Sequence, residues 1–284
     1  MRPPLEPRAV ALLSCPVRAA PLAATDDGSA LRCPEGHLFD RARQGHVTLL
    51  PPGHRPPSGD DAEMVADRVA FLEAGHYAGV TRVLADAVAA GPRVRTVLDL
   101  GGGTGHHLAG VLERLPAAVG VVLDSSRYAA RRAARAHPRA VAVVADTWAR
   151  LPLADAVVDR ALVVFAPRNG PETARVLRPE GRLVVVTPEP DHLGELVAPL
   201  GLLRVDPEKA ARLAASLEPH LVPLATTVHR EELLLDRRAV ATLVGMGPHA
   251  RHLAQDELAR SLAGRPEPVR VTISVQVASY RPAG

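Results

Sequence analysis

The turn Asp99-Leu100-Gly101-Gly102-Gly103-Thr104-Gly105 is the part of the chain whose residue types and spacing most directly imply chemistry. Clustered glycines let a backbone approach a ligand closely and adopt conformations that other side chains forbid. Counted from Gly101, a dinucleotide fingerprint would need its third glycine at position 106, which is His106. The turn therefore suits a ligand without a pyrophosphate. Downstream, Asp124 and Asp146 each end an apolar run. A carboxylate at the place of Asp124 can take both ribose hydroxyls of an adenosine moiety. Asp146 can reach the adenine amino group through its side chain or backbone, which leaves Asp99 and the turn to an amino acid portion. Acid, glycine turn, acid and acid on successive strands point together to S-adenosylmethionine. An α/β domain whose strand ends merely carry solvent-facing polar residues is the plainer alternative. It explains any one of these residues but not their agreement.

Such residues must be brought together by a sheet, and the chain supplies one. Residues 96–100, 119–124, 141–146, 161–165 and 183–187 are short apolar runs of the kind that parallel strands buried on both faces require, with helices as crossovers. Val269, Val271, Ile273, Val275 and Val277 occupy alternate positions, which predicts a late, half-buried antiparallel strand at or near an edge. The fold class expected is α/β, a Rossmann-like doubly wound sheet with a late antiparallel strand, as in class I S-adenosylmethionine-dependent methyltransferases. Pro51 to Gly59 reads as a linker. After it, Asp60, Asp61 and Glu63 predict a helix start, with Met64, Val65, Val69 and Leu72 on one face. The expected division is a small N-terminal domain over residues 1–55 and a methyltransferase domain over 56–284.

With 284 residues, 47% of them hydrophobic, a sizeable core is available, though only three Phe, three Tyr and one Trp contribute to it. All but one of the 34 basic side chains are Arg, the exception being Lys209. Arginine at a single position is therefore weak evidence for phosphate recognition. The formal net charge of +3 permits an anionic partner without demanding one. No apolar run approaches the ~20 residues of a membrane span, so no membrane partner is expected. Cys15 and Cys33 are too few for a disulfide framework, and the cytoplasm is the expected compartment. Arg127, Arg131, Arg132, Arg135 and Arg139 form a stretch without acids. Positions 127, 131 and 135 would share one helical face, either a phosphate-binding stripe or, the favoured reading, a solvated face.

Beyond these local features, the sequence resembles the 23S rRNA (guanine-N1)-methyltransferase family, in particular its macrolide-resistance branch of the tylosin type. The resemblance runs through Cys15-Pro16, Cys33-Pro34-Glu35-Gly36-His37 and Arg43-Gln44-Gly45, then Ala74-Gly75-His76-Tyr77 and Gly101 to Leu108. Phe165-Ala166-Pro167-Arg168-Asn169 and Asp191-His192-Leu193 complete it. It implies methyl transfer to N1 of a guanine around nucleotide 748 in hairpin 35 of 23S rRNA, and a possible homodimer. It also implies cofactor contacts at Tyr77, Gly103, Thr104 and His192, and a zinc-finger-like N-terminal domain. The family binds zinc through Cys-x-x-Cys and a later Cys-x-x-x-His. Here Arg18 stands at the second position, leaving Cys15, Cys33 and His37. An arginine stays protonated and cannot be a ligand, so zinc is possible with His46 or water as the fourth donor.

Direct in-line displacement at a sulfonium methyl rests mainly on positioning. A paired guanine N1 is inaccessible, so the base must leave its stack. Residues 165–169, ending the fourth run, are placed to receive it, with Phe165 stacking and Asn169 or a backbone carbonyl fixing the Watson–Crick edge. Phe165 could equally be a core aromatic. Asp191 and His192 are candidates for the base that removes the N1 proton. Two other functions fit the same residues: a methyltransferase acting on a small molecule in antibiotic biosynthesis, and a non-catalytic cofactor-binding module that masks RNA.

Overall fold

In the computed structural model, which describes residues 4–56, 59–200, 215–247, 255–264 and 267–283, the apolar runs become neighbouring parallel strands. They are β5 (Thr96–Leu100), β6 (Val119–Asp124), β7 (Ala140–Val144), β8 (Val158–Val164) and β9 (Leu177–Pro188). With β4 (Val47–Thr48), β10 (Leu221–Leu235) and β11 (Val269–Pro282) they form one sheet in the order β10-β11-β9-β8-β5-β6-β7-β4. The order runs outward from β5 in both directions, to β6 and to β8. The crevice beyond its carboxyl end is where a doubly wound sheet binds ligands.

β11 is antiparallel to β9 and β10, with Val277 opposite Val186. Val271, Ile273, Val275 and Val277 are buried as their alternation requires. Thr272 and Ser274, expected on an open face, are buried as well. Glu195, from helix α7 (Gly194–Leu200), bonds the Thr272 backbone and hydroxyl, and His192 accepts from the Ser274 N–H at 3.2 Å. The segment after β9 thus covers this strand. β10 had no counterpart among the expected strands and forms the outer edge, the place where Pro223 costs no ladder hydrogen bond.

The helix expected after the linker is α2 (Ala62–Glu73), capped by Asp61, whose carboxylate accepts from Glu63 N at 3.0 Å and Met64 N at 2.9 Å. Pro57 and Ser58 of the linker lie outside the described residues. α2, α3 (Ala78–Ala89) and α4 (His106–Arg114) pack on one face of the sheet. The other face is covered largely by the N-terminal segment, beginning with α1 (Pro7–Val10) and the small sheet β1 (Ala23–Ala24), β2 (Ala30–Arg32), β3 (Leu38–Asp40). Leu13, Leu31 and Leu49 share one apolar cluster with Leu98, Val121 and Val143. β4 extends the large sheet in parallel, Val47 lying opposite Val143. The N-terminal segment is therefore built onto the sheet rather than tethered beside it. No helix among the described residues is long and apolar enough to cross a membrane.

Candidate active site

The glycine turn lies where β5 gives way to α4, at the switch in strand order. Gly103 has φ +57° and Gly105, the N-cap of α4, φ +75°, conformations that favour glycine. A Cβ on Gly102 would stand 2.5 Å from the carboxylate of Asp99, so the turn lies directly against that acid. Asp99 is 1% exposed and neither carboxylate oxygen has a hydrogen-bond partner. Burial, and then the nearby Asp124, push its carboxyl up from 3.8 to about 7. Asp124 ends β6 and accepts from Gly103 N at 2.8 Å and from Ser126 N at 2.7 Å. Its pKa is also raised, chiefly by burial.

Asp146 falls two residues beyond β7. Its Oδ1 accepts from Trp148 N at 2.8 Å, and its Oδ2 is 2.7 Å from Nε2 of His54, a residue of the proline-rich connector that sequence reasoning had not linked to the site. Asn169 is engaged within the protein. Its Oδ1 caps α6 (Gly170–Val176) by accepting from Glu172 N, and its amide nitrogen donates to the carbonyls of Thr147 and Ala149, both at 3.1 Å. With its amide used on both sides, Asn169 braces the Asp146 loop in the ligand-free protein. The arginine stripe is also shorter than expected. Helix α5 (Arg127–Ala133) ends before Arg135, while Arg139 turns inward to the carbonyls of Leu112, Leu115 and Ala118. Arg127 and Arg131 remain, flanking the Tyr128 ring at 5.0 and 5.5 Å.

Phe165, just after β8, is 42% exposed and has φ +53°. A phenylalanine in the left-handed region is a backbone outlier, and its exposure removes the core reading. Its ring lies 6.0 Å from that of Tyr77 and 5.8 Å from that of His192. Tyr77, buried, also meets Phe71 edge-on at 5.1 Å. Burial pulls the His192 pKa down to about 4. Because Nδ1 accepts from Ser274 N, the neutral ring carries its proton on Nε2. His192 is thus a donor at this site rather than a base. Asp191 is unsuited to the role as well: it is solvent-facing, and hydrogen bonds from Ser274 and Arg230 hold its carboxyl below the usual range.

One cation absent from the sequence-based expectations belongs here. Arg68, on α2, pairs with Asp60 and donates to Met246 O at 2.8 Å. A Cβ on Gly103 would lie 3.2 Å from its Nη1. Only the arrival of α2 over the glycine turn reveals it.

Away from this site, Cys15 Sγ and Cys33 Sγ lie 3.7 and 3.3 Å from Nδ1 of His37. In a tetrahedral zinc site with ordinary bond lengths the S···N edge is about 3.5 Å, so these three residues fit three corners. Arg18 turns away to Glu35, at 3.3 Å. His46 is not among the ligand atoms gathered there. It follows Gly45, which packs on Ala134, and burial and Arg131 lower its pKa. Among the described residues, no fourth His, Cys, Asp or Glu joins these three. When bound, zinc would tie the start of the chain to the β2–β3 turn.

An antiparallel strand threaded between β9 and β10, together with a glycine turn suited to a nucleoside bearing an amino acid, makes the protein a class I S-adenosylmethionine-dependent methyltransferase. Asp99, Asp124 and the cradle against Gly102 fit that cofactor. Comparison with known proteins narrows the class. A Micromonospora griseorubida protein, provisionally named a 23S rRNA (guanine-N(1)-)-methyltransferase, is 54% identical over 99% of this chain and 100% of its own. The 23S rRNA (guanine(748)-N(1))-methyltransferase of Streptomyces fradiae is 51% identical over 96% of this chain and 98% of its own. The zinc-ribbon family described as "RlmA, N-terminal" matches residues 13–56. The chain belongs to the 23S rRNA (guanine-N1)-methyltransferase family.

Proposed function

We propose that this protein transfers the methyl group of S-adenosylmethionine to N1 of a guanine in 23S rRNA, at the position corresponding to nucleotide 748, and thereby lowers macrolide affinity. Near-full-length identity to the Streptomyces fradiae enzyme supports the substrate. The single observation that carries the reading is Phe165, exposed in a strained backbone between Tyr77 and His192 beside the glycine turn. A solvent-facing aromatic at the end of a central strand offers a platform to a base drawn out of its helix, and stacking of this kind is worth about 1–3 kcal/mol.

When bound, the cofactor supplies an electrophilic methyl group on a sulfonium. Asp124 holds the ribose end and Asp146, oriented by Trp148 and His54, marks the adenine end. The aromatic faces of Tyr77 and Phe165 suit a neighbouring positive charge. His192 donates from Nε2 and so steadies a carbonyl oxygen as the guanine N1 gives up its proton. Neither Asp191 nor His192 can take that proton, which leaves to water. Arg127 and Arg131 around Tyr128 offer phosphate contacts. A ribbon that had lost its ligands would favour a small-molecule substrate, since such an enzyme need not hold RNA, but Cys15, Cys33 and His37 stay gathered.

The test is incubation of the protein with labelled cofactor and a 23S rRNA transcript, followed by primer extension. N1 methylation blocks Watson–Crick pairing, so a reverse-transcription stop is expected at the target guanine. Label transfer without a stop would overturn the N1 assignment, and no transfer to RNA would overturn the substrate.

A further inference from the structure

We propose that Arg68 is the receptor for the α-carboxylate of the methyl donor, with its guanidinium over Gly103 as the contact point. The proposal rests on the donor reading of the glycine turn and adds a residue to it. The turn is crowded with carboxyl groups: Asp60 and Asp99 both stand near Asp124, burial and this crowding raise the pKa values of Asp99 and Asp124, and the Asp60 carbonyl accepts from the Ser126 hydroxyl at 2.6 Å. That surrounding suits the sulfonium and ammonium of the donor but repels its one anionic group, which needs a cation of its own.

Arg68 supplies it from outside the parallel sheet. Nη1 lies 3.2 Å from where a Cβ of Gly103 would be, so the guanidinium covers the turn with only the missing side chain between. Its charge is felt at Asp124 on β6, at Tyr77 before α3 and at His107 on α4, three elements that converge on the same crevice. The pairing with Asp60 and the bond to Met246 O fix the plane of the group. The remaining N–H groups can meet a carboxylate in the forked geometry that arginine favours. Preorganisation by Asp60 keeps the cation in place without neutralising every donor.

Calorimetry on the full chain separates this role from a structural one. The ligands are S-adenosylmethionine and decarboxylated S-adenosylmethionine, which lacks only the group in question. The native protein should bind the intact ligand about ten- to a hundredfold more tightly, the worth of a charge-assisted bond pair. In Arg68→Met that preference should collapse to near unity, through loss of affinity for the intact ligand alone. Arg68→Lys, which keeps the charge but not the fork, should retain part of it. Parallel loss of both ligands in Arg68→Met, or a native protein that does not discriminate between them, would overturn the assignment. A native protein that binds neither ligand would overturn the donor-site reading itself, and this inference with it.

Discussion

Replacing Asp99 with Asn should make the ligand-free protein more stable at neutral pH, and the size of the effect follows from the burial of the carboxyl. In the unfolded chain the group ionises near 3.8, whereas in the fold it ionises near 7. Between those values the unfolded state has lost a proton that the folded state keeps, so stability falls as pH rises. A tenfold change in proton affinity is worth about 1.4 kcal/mol, so the loss across the window is about 4 kcal/mol. Below pH 4 both states are protonated and nothing is lost. Above pH 7 both are ionised and the penalty is constant. Asn carries no charge and lacks the slope, but its unpartnered amide costs about 1–3 kcal/mol of its own. Urea denaturation of both proteins without ligand, from pH 4 to 8, reads the difference. Asp99→Asn should gain on the native protein by about 4 kcal/mol across that range and exceed it by about 1–3 kcal/mol at pH 8. A difference that stays flat with pH would refute an orphaned, buried carboxylate beneath the turn.

Phe165→Ala should leave circular dichroism and donor affinity unchanged while lowering kcat/KM for RNA by about ten- to a hundredfold, the worth of one stacked base; a loss of donor binding with RNA affinity intact would contradict the stacking role. Asn169→Ala removes a helix cap and two loop bonds and should cost about 2 kcal/mol in urea denaturation, whereas a variant of native stability would return the amide to substrate contact. For the ribbon, elemental analysis should find zinc in the native protein and not in Cys33→Ala. Arg18→Cys, by completing four ligands, should hold the metal at chelator concentrations that strip the native site. Unchanged retention in Arg18→Cys would show that position 18 does not face the metal.

Much of the sheet was legible because strands buried on both faces are nearly continuous apolar runs, and β5 to β9 all contain the stretches read that way. The cap at Asp61 and the turn at Gly101 to Gly105 were legible for the same reason: each depends on neighbours in sequence. What was not legible depends on neighbours in space. β10 sits at an edge and is exposed over residues 223–228; where its burial alternates, over 229–235, the inward positions include His229 and Glu231, so no apolar alternation shows in the sequence. β4 has two residues, too few for any period. Arg68 and His54 reach the site from α2 and the connector, and a lone arginine or histidine carries no local signal of that destination. Asn169 shows the converse: capping and base recognition call for the same amide, and only the positions of Glu172, Thr147 and Ala149 decide between them. Arg135 reads as part of a helical stripe because the sequence carries no helix breaker between Ala133, where α5 ends, and Pro138.

Nucleoside mass spectrometry on rRNA from cells that express this chain, in a host lacking an enzyme of the same family, bears most directly on whether the turn and the carboxylates around it drive guanine methylation. The account predicts one additional 1-methylguanosine, mapped to the fragment containing nucleotide 748, which disappears in Asp124→Ala. Ribosomal RNA unchanged by expression of the folded protein, or a new methyl group that persists in Asp124→Ala, would contradict it.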